Sequence, residues 1–356
     1  MTGRGVDQVL PHPGDPRLHE RYVASARDYV TLVERASGAW PRPVGFDYVW
    51  GDALPVLERM RPDVRIVNLE TAVTIADDAW PDKGVHYRMH PANVACLAAA
   101  RLDCCVLANN HAMDWGRRGL EETLATLHRA GLRTAGAGRN RVEAHAPAIV
   151  DVPGKTRVLV FAYGMASSGV PEGWEARASS SGIAVLADLS GASVTAVAQH
   201  VGEHRQPGDV VVLSLHWGGN WDYGVAQAHR AFAHRMIDVA GVDVVYGHSS
   251  HHPKGIEVYR GRPILYGCGD LIDDYEGIAG HEAYRPELRF LHFVTLDGAG
   301  RLLRLVLAPL RVRRMRLERA NTTDIDWLAA RQDREGPSLG TRVERTSDDM
   351  LAVRWQ

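Results

Sequence analysis

Short hydrophobic runs rich in β-branched residues alternate along this chain with longer amphipathic stretches. A short apolar run bounded by small or polar residues is typical of a buried strand, whereas a 3.6-residue periodicity is typical of a helix. Strands interleaved with helices predict an α/β protein. The predicted strands lie at 65–69, 104–108, 157–163, 210–215, 242–246 and 263–266. The predicted helices lie at 92–100, 119–130, 194–204 and 226–240.

Polar side chains follow four of the predicted strands at the point where each strand ends. Glu70 follows the first strand, Asn110 and His111 follow the second, and His216 and His248 follow two later strands. In open α/β sheets, functional groups gather beyond the carboxyl ends of the strands. We therefore expect these side chains to share one cleft.

Several of these residues also have an ordinary structural interpretation. Glu70 alone is compatible with a cap or a turn, and Asn110 with His111 is compatible with a hydrogen-bonded turn. His216 ends an apolar run, where an imidazole needs either a partner or a ligand. A satisfied core histidine therefore stays open as the alternative at that position.

Three histidines, His248, His251 and His252, fall within positions 248–252 after a predicted strand, which favours a metal site over a core. With the preceding residues they form a mixed set of carboxylate, amide and imidazole donors. Such a set suits Zn, Mn or Fe and differs from the oxygen-only sites of Ca. Because a divalent metal in such a site generates hydroxide and polarises a phosphoryl or carbonyl oxygen, the expected chemistry is hydrolysis.

Composition narrows the classes of function. Forty-one Lys and Arg residues oppose 43 Asp and Glu residues, so the chain lacks the basic footprint of a nucleic-acid binder. The four cysteines show neither zinc-knuckle spacing nor the density of a disulfide scaffold, which favours a reducing compartment. No apolar run approaches the roughly 18 residues that span a bilayer, and residues 1–10 show no signal-peptide pattern. We therefore expect a cytoplasmic protein that contacts neither nucleic acid nor membrane.

The hydrophobic pattern changes after Pro309. An arginine-rich run occupies positions 311–319, a capped helix is predicted from Thr323, and a short strand pair ends the chain. We therefore predict one catalytic domain over residues 1–310, with a C-terminal appendage at residues 311–356 packed on it.

Four motifs resemble, in order and spacing, those of the CapA family, which is named for poly-γ-glutamate capsule synthesis and belongs to the calcineurin-like metallophosphatase superfamily. They are Asn68-Leu69-Glu70-Thr71, Ala108-Asn109-Asn110-His111-Ala112-Met113-Asp114-Trp115-Gly116, His216-Trp217-Gly218 and Gly247-His248-Ser249-Ser250-His251. The resemblance extends over about residues 1–297. It implies a four-layer αββα sandwich of two mixed sheets, with metal ions at their upper edge.

The resemblance also implies the ligands of the metal ions. Glu70 would bridge two ions, while Asn110, His216 and His248 would complete one site and His251 would bind the other. The metals expected by this resemblance are Mn, Zn or Fe.

Catalytic and substrate-binding roles follow from the same resemblance. His111 would be the acid that protonates the leaving group, and Asp114 would orient it. The implied substrate contacts are Arg4, Arg88, His90, Asn109 and Asp270. An arginine such as Arg88 can hold a phosphate or a carboxylate through two parallel hydrogen bonds, although a solvated surface arginine is equally compatible with its sequence position.

One feature of the family is missing. Family members open with a strand that ends in Gly-Asp shortly before Gly-Arg, whereas Gly3-Arg4 stand here at the start of the chain. We therefore expect the native start to lie upstream of Met1. We also expect the chain as given to bind one metal ion well and a second one poorly or not at all.

The leading expectation is a metal-dependent hydrolase acting on a phosphoester or an amide-linked anionic substrate. Two alternatives stay open. One is an amide-forming or polymer-handling role in poly-γ-glutamate synthesis, with a polyglutamate-like polymer as partner, and the other is a non-catalytic partner protein with a degenerate metal site. No Gly-rich loop ending in Lys-Ser/Thr is present, which argues against a ligase of the P-loop type.

Overall fold

Helices and strands interleave along the chain, which confirms the predicted α/β class. A computed structural model describes all 356 residues. No helix in it combines the length and the apolar character that a bilayer span requires. The α-helices are α1 (Gly5–Val9), α2 (Ala26–Ser37), α3 (Ala53–Met60), α4 (Ala95–Ala99), α5 (Gly116–Arg129), α6 (Arg141–His145), α7 (Gly191–His204), α8 (Gln227–Asp238) and α9 (Thr322–Glu335).

The strands form three main sheets and two short strand pairs. They are β1 (Ile66–Asn68), β2 (Ala72–Val73), β3 (Arg88–Met89), β4 (Cys104–Val106), β5 (Arg133–Ala135), β6 (Ala137–Gly138), β7 (Ala148–Val152), β8 (Thr156–Gly164), β9 (Gly182–Ile183), β10 (Val210–His216), β11 (Val244–His248), β12 (Ile256–Tyr259), β13 (Arg262–Leu265), β14 (Leu288–Leu296), β15 (Leu302–Arg313), β16 (Arg316–Arg319), β17 (Thr341–Arg345) and β18 (Leu351–Trp355). The short pairs are β2 with β3 and β6 with β9.

Two of the sheets carry the parallel strands. The first has three parallel strands in the order β1-β4-β5. The second is mixed, with six strands in the order β12-β13-β11-β10-β8-β7. Its four inner strands are parallel, and the antiparallel strands β12 and β7 form its edges.

These two sheets pack face to face through small and β-branched side chains. Val106 and Ala135 of the first sheet share one apolar cluster with Val160, Val212 and Val244 of the second. Fully burying a valine stabilises a fold by about 1.5–3 kcal/mol relative to leaving it exposed. The inner layer of the molecule is therefore an apolar interface between the two sheets.

Helices cover the outer faces of both sheets. Cys105 of β4 packs in a core that includes Leu124 of α5, on the far side of the first sheet. Leu213 of β10 packs with Val197 of α7 and Phe232 of α8, on the far side of the second. The order of layers is thus helix, sheet, sheet, helix, which is compatible with the predicted αββα sandwich.

The last part of the chain builds a third, antiparallel sheet with the order β14-β15-β18-β17, and β16 also pairs with β15. β15 is one continuous strand across position 310. Asn321 caps α9 by accepting a hydrogen bond from the backbone N–H of Asp324. The division into a domain at 1–310 and an appendage at 311–356 stays a prediction.

The predicted helices and strands exist, with ends displaced by a few residues. The strand predicted at 242–246 is β11, and the helix predicted at 92–100 is a 3-10 turn over Pro91–Val94 followed by α4. The imidazole of His90 caps this turn by accepting a hydrogen bond from the backbone N–H of Ala92. Pro91 therefore occupies the first turn of the element.

Candidate functional site

The carboxyl ends of β1, β4, β10 and β11 bring together the polar residues that were expected to share a cleft. His216 and His248 end neighbouring strands in matched register. From the facing sheet, Oδ1 of Asn110 lies 2.9 Å from Nε2 of His216, and Oε1 of Glu70 lies 3.7 Å from the same nitrogen. The site therefore lies at the edge where the two sheets meet.

A chain of hydrogen bonds runs through the two imidazoles. Oγ of Ser214 lies 2.7 Å from Nε2 of His248, and the Nδ1 atoms of His248 and His216 are 2.5 Å apart. If the amide oxygen of Asn110 is the last acceptor, one assignment satisfies every contact. Ser214 donates to His248, His248 donates through Nδ1 to His216, and His216 donates through Nε2 to Asn110. Each ring then carries one proton.

Burial lowers the pKa of both His216 and His248 well below its ordinary value, because a charged imidazole loses its hydration in the interior. The nearby His111 and His251 lower the pKa of His216 further. Histidine binds metal ions in its neutral form. Both rings are therefore neutral, as metal binding requires, but in the tautomers assigned above a metal would first have to displace the proton on Nε2 of His216.

The chemistry of the donors fits a divalent transition metal. One carboxylate oxygen and one amide oxygen approach the same nitrogen of His216, and the neutral imidazole of His248 adjoins it. Among His, Cys, Asp and Glu side chains alone, no group of three or more is arranged to hold a metal ion. The metal-ligand assignment, which includes the amide of Asn110, stays a prediction.

Asn109 connects the loops that follow β1 and β4. Its amide nitrogen donates to Oδ1 of Asn68 at 2.9 Å and to the backbone oxygen of Leu69 at 3.0 Å, while its Oδ1 accepts the N–H of His111. Asn68 in turn donates to Glu70 at 2.8 Å. The buried amide of Asn109 is thus fully used in fixing its neighbours, and a substrate contact from it stays a prediction.

His111 and Asp114 form a buried pair behind the strand ends. Nδ1 of His111 lies 2.7 Å from Oδ2 of Asp114, and the same oxygen accepts the backbone N–H of Tyr87 at 2.6 Å. Burial lowers the pKa of His111, with Asp114 opposing and Lys83 reinforcing this effect. Burial alone would raise the pKa of Asp114, but His111 and Lys83 outweigh it and hold that pKa below its usual value.

Lys83 belongs to this group, and sequence reasoning missed it. Its Nζ lies 2.7 Å from Oδ1 of Asp114 and 3.0 Å from Nδ1 of His111. The residue lies in an irregular loop between β2 and β3, where neither periodicity nor a motif marks it. The only local signal is the Pro81-Asp82 turn, in which Asp82 adopts a left-handed conformation with φ 57°.

His251 and Asp270 pair on the other side of the cleft, with Nδ1 of the ring 2.9 Å from Oδ2 of the carboxylate. Burial lowers the pKa of His251, but Asp270 outweighs this and leaves it raised. Burial raises the pKa of Asp270, and the partner imidazole outweighs that effect, so its pKa is lowered. The pair orients His251 and leaves its Nε2 free for a ligand role.

Ser249, between these histidines, has a backbone conformation that favours glycine. Its φ is 108°, although it carries a side chain and is buried. Oγ of Ser249 donates to the backbone oxygen of Gly218 at 3.0 Å, and the N–H of His251 donates to the backbone oxygen of Asn220. The bend thus ties the loop after β10 to the loop after β11.

Arg4 is enclosed by acids and aromatic rings. Its Nε and Nη2 contact the two oxygens of Asp274 at 2.8 and 2.5 Å, and Nη1 contacts Glu20 at 3.0 Å. Its guanidinium carbon lies 3.6 Å from the ring centre of Tyr29 and 4.6 Å from that of Tyr87. Every guanidinium nitrogen thus has a protein partner, and a substrate contact from Arg4 stays a prediction.

Arg88 and His90 stand at and after β3. The guanidinium of Arg88 lies over Trp115, 3.8 Å from the ring centre, and donates to the backbone oxygen of Ala76 at 2.7 Å. His90 is occupied as the cap of the following turn. Neither side chain has a contact with the His216 group, so their predicted substrate role has no support from hydrogen bonding.

Two tyrosines bridge the halves of the cleft. The hydroxyl groups of Tyr87 and Tyr275 are 2.9 Å apart. The ring of Tyr87 stands edge-on to His111 at 4.6 Å, and that of Tyr275 stands edge-on to His251 at 5.2 Å. Trp221 adds a further aromatic wall 5.3 Å from His251. The polar groups at the strand ends are therefore flanked by aromatic rings.

Known proteins are similar in sequence to this chain. Residues 1–275 match a family model described as bacterial capsule synthesis protein PGA_cap. A probable polyglutamine synthesis accessory protein of Mycobacterium tuberculosis is 50% identical over 356 residues, which cover 99% of this chain and 93% of that protein. The PGA biosynthesis protein CapA of Bacillus subtilis is 27% identical over 302 residues, covering 85% and 67%. The capsule biosynthesis protein CapA of Bacillus anthracis is 26% identical over 237 residues, covering 65% and 54%.

Proposed function

Because the chain belongs to the PGA_cap family of bacterial capsule synthesis proteins, as its CapA-like motifs predict, we propose that it is a metal-dependent hydrolase. Its substrate would be a phosphoester or an amide-linked anion. The observation that carries this proposal is the meeting of Glu70, Asn110, His216 and His248 at the strand ends, next to His111.

The first four of these residues would hold a Mn, Zn or Fe ion. When bound, such an ion would lower the pKa of water and polarise a phosphoryl or carbonyl oxygen. Asn68 would keep Glu70 oriented through the 2.8 Å hydrogen bond between them. His251, aligned by Asp270, would contribute to a second metal position on the same edge.

His111 would move the proton. Its Nδ1 faces Asp114, which leaves Nε2 as the ring atom that exchanges a proton with the leaving group. Asp114 would hold the ring in place, since its Oδ2 is itself fixed by the backbone N–H of Tyr87. The protonated ring is the acid, so His111 would take up a proton before it donates one.

A turnover assay tests this proposal. The full chain, loaded with Mn or Zn, is assayed on an activated phosphodiester and on γ-linked glutamate oligomers. The His111→Ala variant is expected to lose about 10²–10⁴-fold in kcat while it retains bound metal, because general acid catalysis contributes that range. His128→Ala, which changes an exposed histidine, is the matched control and should keep full activity. Wild-type rates in His111→Ala would refute the catalytic role.

A second candidate is a polymer-handling or amide-forming role without hydrolysis. The observation that favours it is the 50% identity with a probable polyglutamine synthesis accessory protein of Mycobacterium tuberculosis. In that case the chain would bind γ-linked glutamate oligomers, and a metal would only stabilise the fold. Oligomer binding that persists without turnover, in wild type and in His111→Ala alike, would favour this role over the hydrolase.

We also propose a cytoplasmic location. All four cysteines are free thiols, and three of them are buried, which suits a reducing compartment. Fractionation of the native host, with the chain followed by antibody, tests this location. Recovery outside the cytoplasm would contradict it.

A further inference from the structure

An anionic substrate would require a positively charged side chain at the candidate site. The nearby arginines Arg4 and Arg289 already form ion pairs with carboxylates of the protein. Arg4 is paired with Asp274 and Glu20, and its side chain is 3% exposed. Arg289 is paired with Asp273, and its side chain is 1% exposed. Neither guanidinium can turn toward a substrate without leaving a buried carboxylate unpaired, which is strongly unfavourable.

Lys83 differs from these arginines in both access and geometry. Its side chain is 11% exposed, and its ammonium group lies within 3.0 Å of His111. Nζ of Lys83 pairs with Oδ1 of Asp114 at 2.7 Å. This ion pair holds the ammonium group beside His111.

The ammonium group of Lys83 carries three hydrogens. One donates to the backbone oxygen of Val85 at 3.1 Å, and one faces Asp114. The third points at Nδ1 of His111, whose own proton is required by the shorter 2.7 Å contact with Asp114. Because a protonated Nδ1 offers no lone pair, this third N–H lacks an acceptor.

The loop that carries Lys83 is fixed at both ends on the same aspartate. The N–H of Trp80 donates to the backbone oxygen of Asp114 at 2.8 Å, and the N–H of Tyr87 donates to its Oδ2 at 2.6 Å. Asp82 turns the chain inward between these two anchors with its left-handed backbone. The ammonium group is thus placed by the fold, as a substrate contact must be.

We propose that Lys83 contacts the anionic group of the substrate, a phosphoryl or carboxylate oxygen, beside His111. This inference rests on the proposed function and names the residue that recognises the substrate's charge. The contact requires the third N–H of Lys83 to turn from Nδ1 of His111 toward an oxyanion that enters next to the ring. Lys83 would then hold the oxyanion while His111 exchanges a proton with the leaving group.

Binding titrations on the full chain test the proposal without turnover. The probes are inorganic phosphate and γ-glutamylglutamate, measured by calorimetry on wild type, Lys83→Met, Lys83→Arg and the control Lys155→Met, whose lysine is 60% exposed. Lys83→Met is expected to weaken binding of the recognised probe about tenfold or more, because a hydrogen bond to a charged group contributes about 1.5–3 kcal/mol. Lys83→Arg should keep most of the affinity, and Lys155→Met all of it.

The outcomes separate the sources of the oxyanion. Lysine-dependent binding of phosphate alone supports a phosphoester, and lysine-dependent binding of the dipeptide alone supports a carboxylate. Equal affinities of wild type and Lys83→Met for both probes, or no binding to wild type, would overturn the proposal. Lysine-dependent binding without catalysis would instead refute only the hydrolase.

Chemical protection provides a second measurement that needs no substitution. Reductive methylation of the wild-type chain is followed by mass spectrometry with and without the probe that binds. The probe should slow the modification of Lys83 and leave Lys155 and Lys254 unchanged. Equal rates at Lys83 with and without probe would overturn the proposal, even if Lys83→Met fails to fold.

Discussion

Replacing Asp114 by Asn perturbs the residue on which the site is assembled. Asp114 is fully buried and receives three donors, namely the backbone N–H of Tyr87, Nδ1–H of His111 and the ammonium of Lys83. Its backbone oxygen also anchors Trp80. The Asn side chain keeps the size and removes the charge, so Lys83 loses its counter-ion.

The expected loss of stability in Asp114→Asn comes from the ammonium group of Lys83, which is left without its counter-ion. Breaking a buried ion pair by removing one partner costs about 3–5 kcal/mol, and the 11% exposure of Lys83 places the loss near the lower end. We therefore expect Asp114→Asn to lower the free energy of unfolding by about 3 kcal/mol. Adding Lys83→Met should recover about 1 kcal/mol or more, because the double variant no longer leaves an unpaired ammonium.

Urea unfolding followed by tryptophan fluorescence measures all four members of this cycle. The control is Asp63→Asn with Lys155→Met, an ion pair on the surface whose side chains are more than half exposed. That pair should show coupling below about 1 kcal/mol. Effects of the Asp114 and Lys83 substitutions that add within about 0.5 kcal/mol would contradict a coupled ion pair.

Three further predictions concern other parts of the site and core. If His111 is the general acid, kcat/KM should decline as pH rises from acidic to neutral, because the lowered pKa of His111 leaves little of the ring protonated at neutral pH. A value of kcat/KM that rises over this range would contradict the role of His111 as the acid. Burial raises the pKa of Asp273 to about 6 against the opposing charge of Arg289, so stability from its protonated form is lost as pH rises through about 6. Arg289→Met should therefore destabilise the fold by about 3–5 kcal/mol at neutral pH and by less in acid, and a pH-independent loss in urea unfolding would contradict this. Both Ser249→Ala and Ser249→Gly remove the hydroxyl hydrogen bond, but only Ser249→Gly relieves the strain of the φ of 108°. Ser249→Gly should therefore be the more stable of the two variants in thermal unfolding. The reverse order would exclude strain at this position.

The hydrophobic pattern predicted six of the nine strands of the two facing sheets, namely β1, β4, β8, β10, β11 and β13, because these are short apolar runs between turn residues. It missed β5, β7 and β12, which lie at the edges of the sheets. It did not predict the β15–β16 hairpin. That hairpin turns through Arg314 and Met315, both left-handed, in place of the Asn-Gly pair that marks such turns in a sequence. The arginines around the buried Val312 and Leu317 therefore looked like a basic run instead of two paired strands.

Positions at the ends of parallel strands could be inferred from sequence because the fold forces those ends together. His216 and Asn110 are an example: they follow strands of the two facing sheets, and their side chains meet at the edge that these strand ends share. Lys83 could not be inferred, because its place depends on a loop held by contacts to Asp114. The ion pair of Arg4 with Asp274 could not be inferred either, because the two residues are 270 positions apart in the sequence.

The metal content of the purified full chain tests the central claim most directly. Plasma mass spectrometry after loading with Mn or Zn and dialysis would compare wild type with His216→Ala, Asn110→Ala and the exposed control His128→Ala. The account predicts retained metal in wild type and in His128→Ala, and a loss of about tenfold or more in metal affinity in the other two, because each removes a donor. A wild-type chain that retains no metal, or a His216→Ala variant that retains as much as wild type, would contradict it.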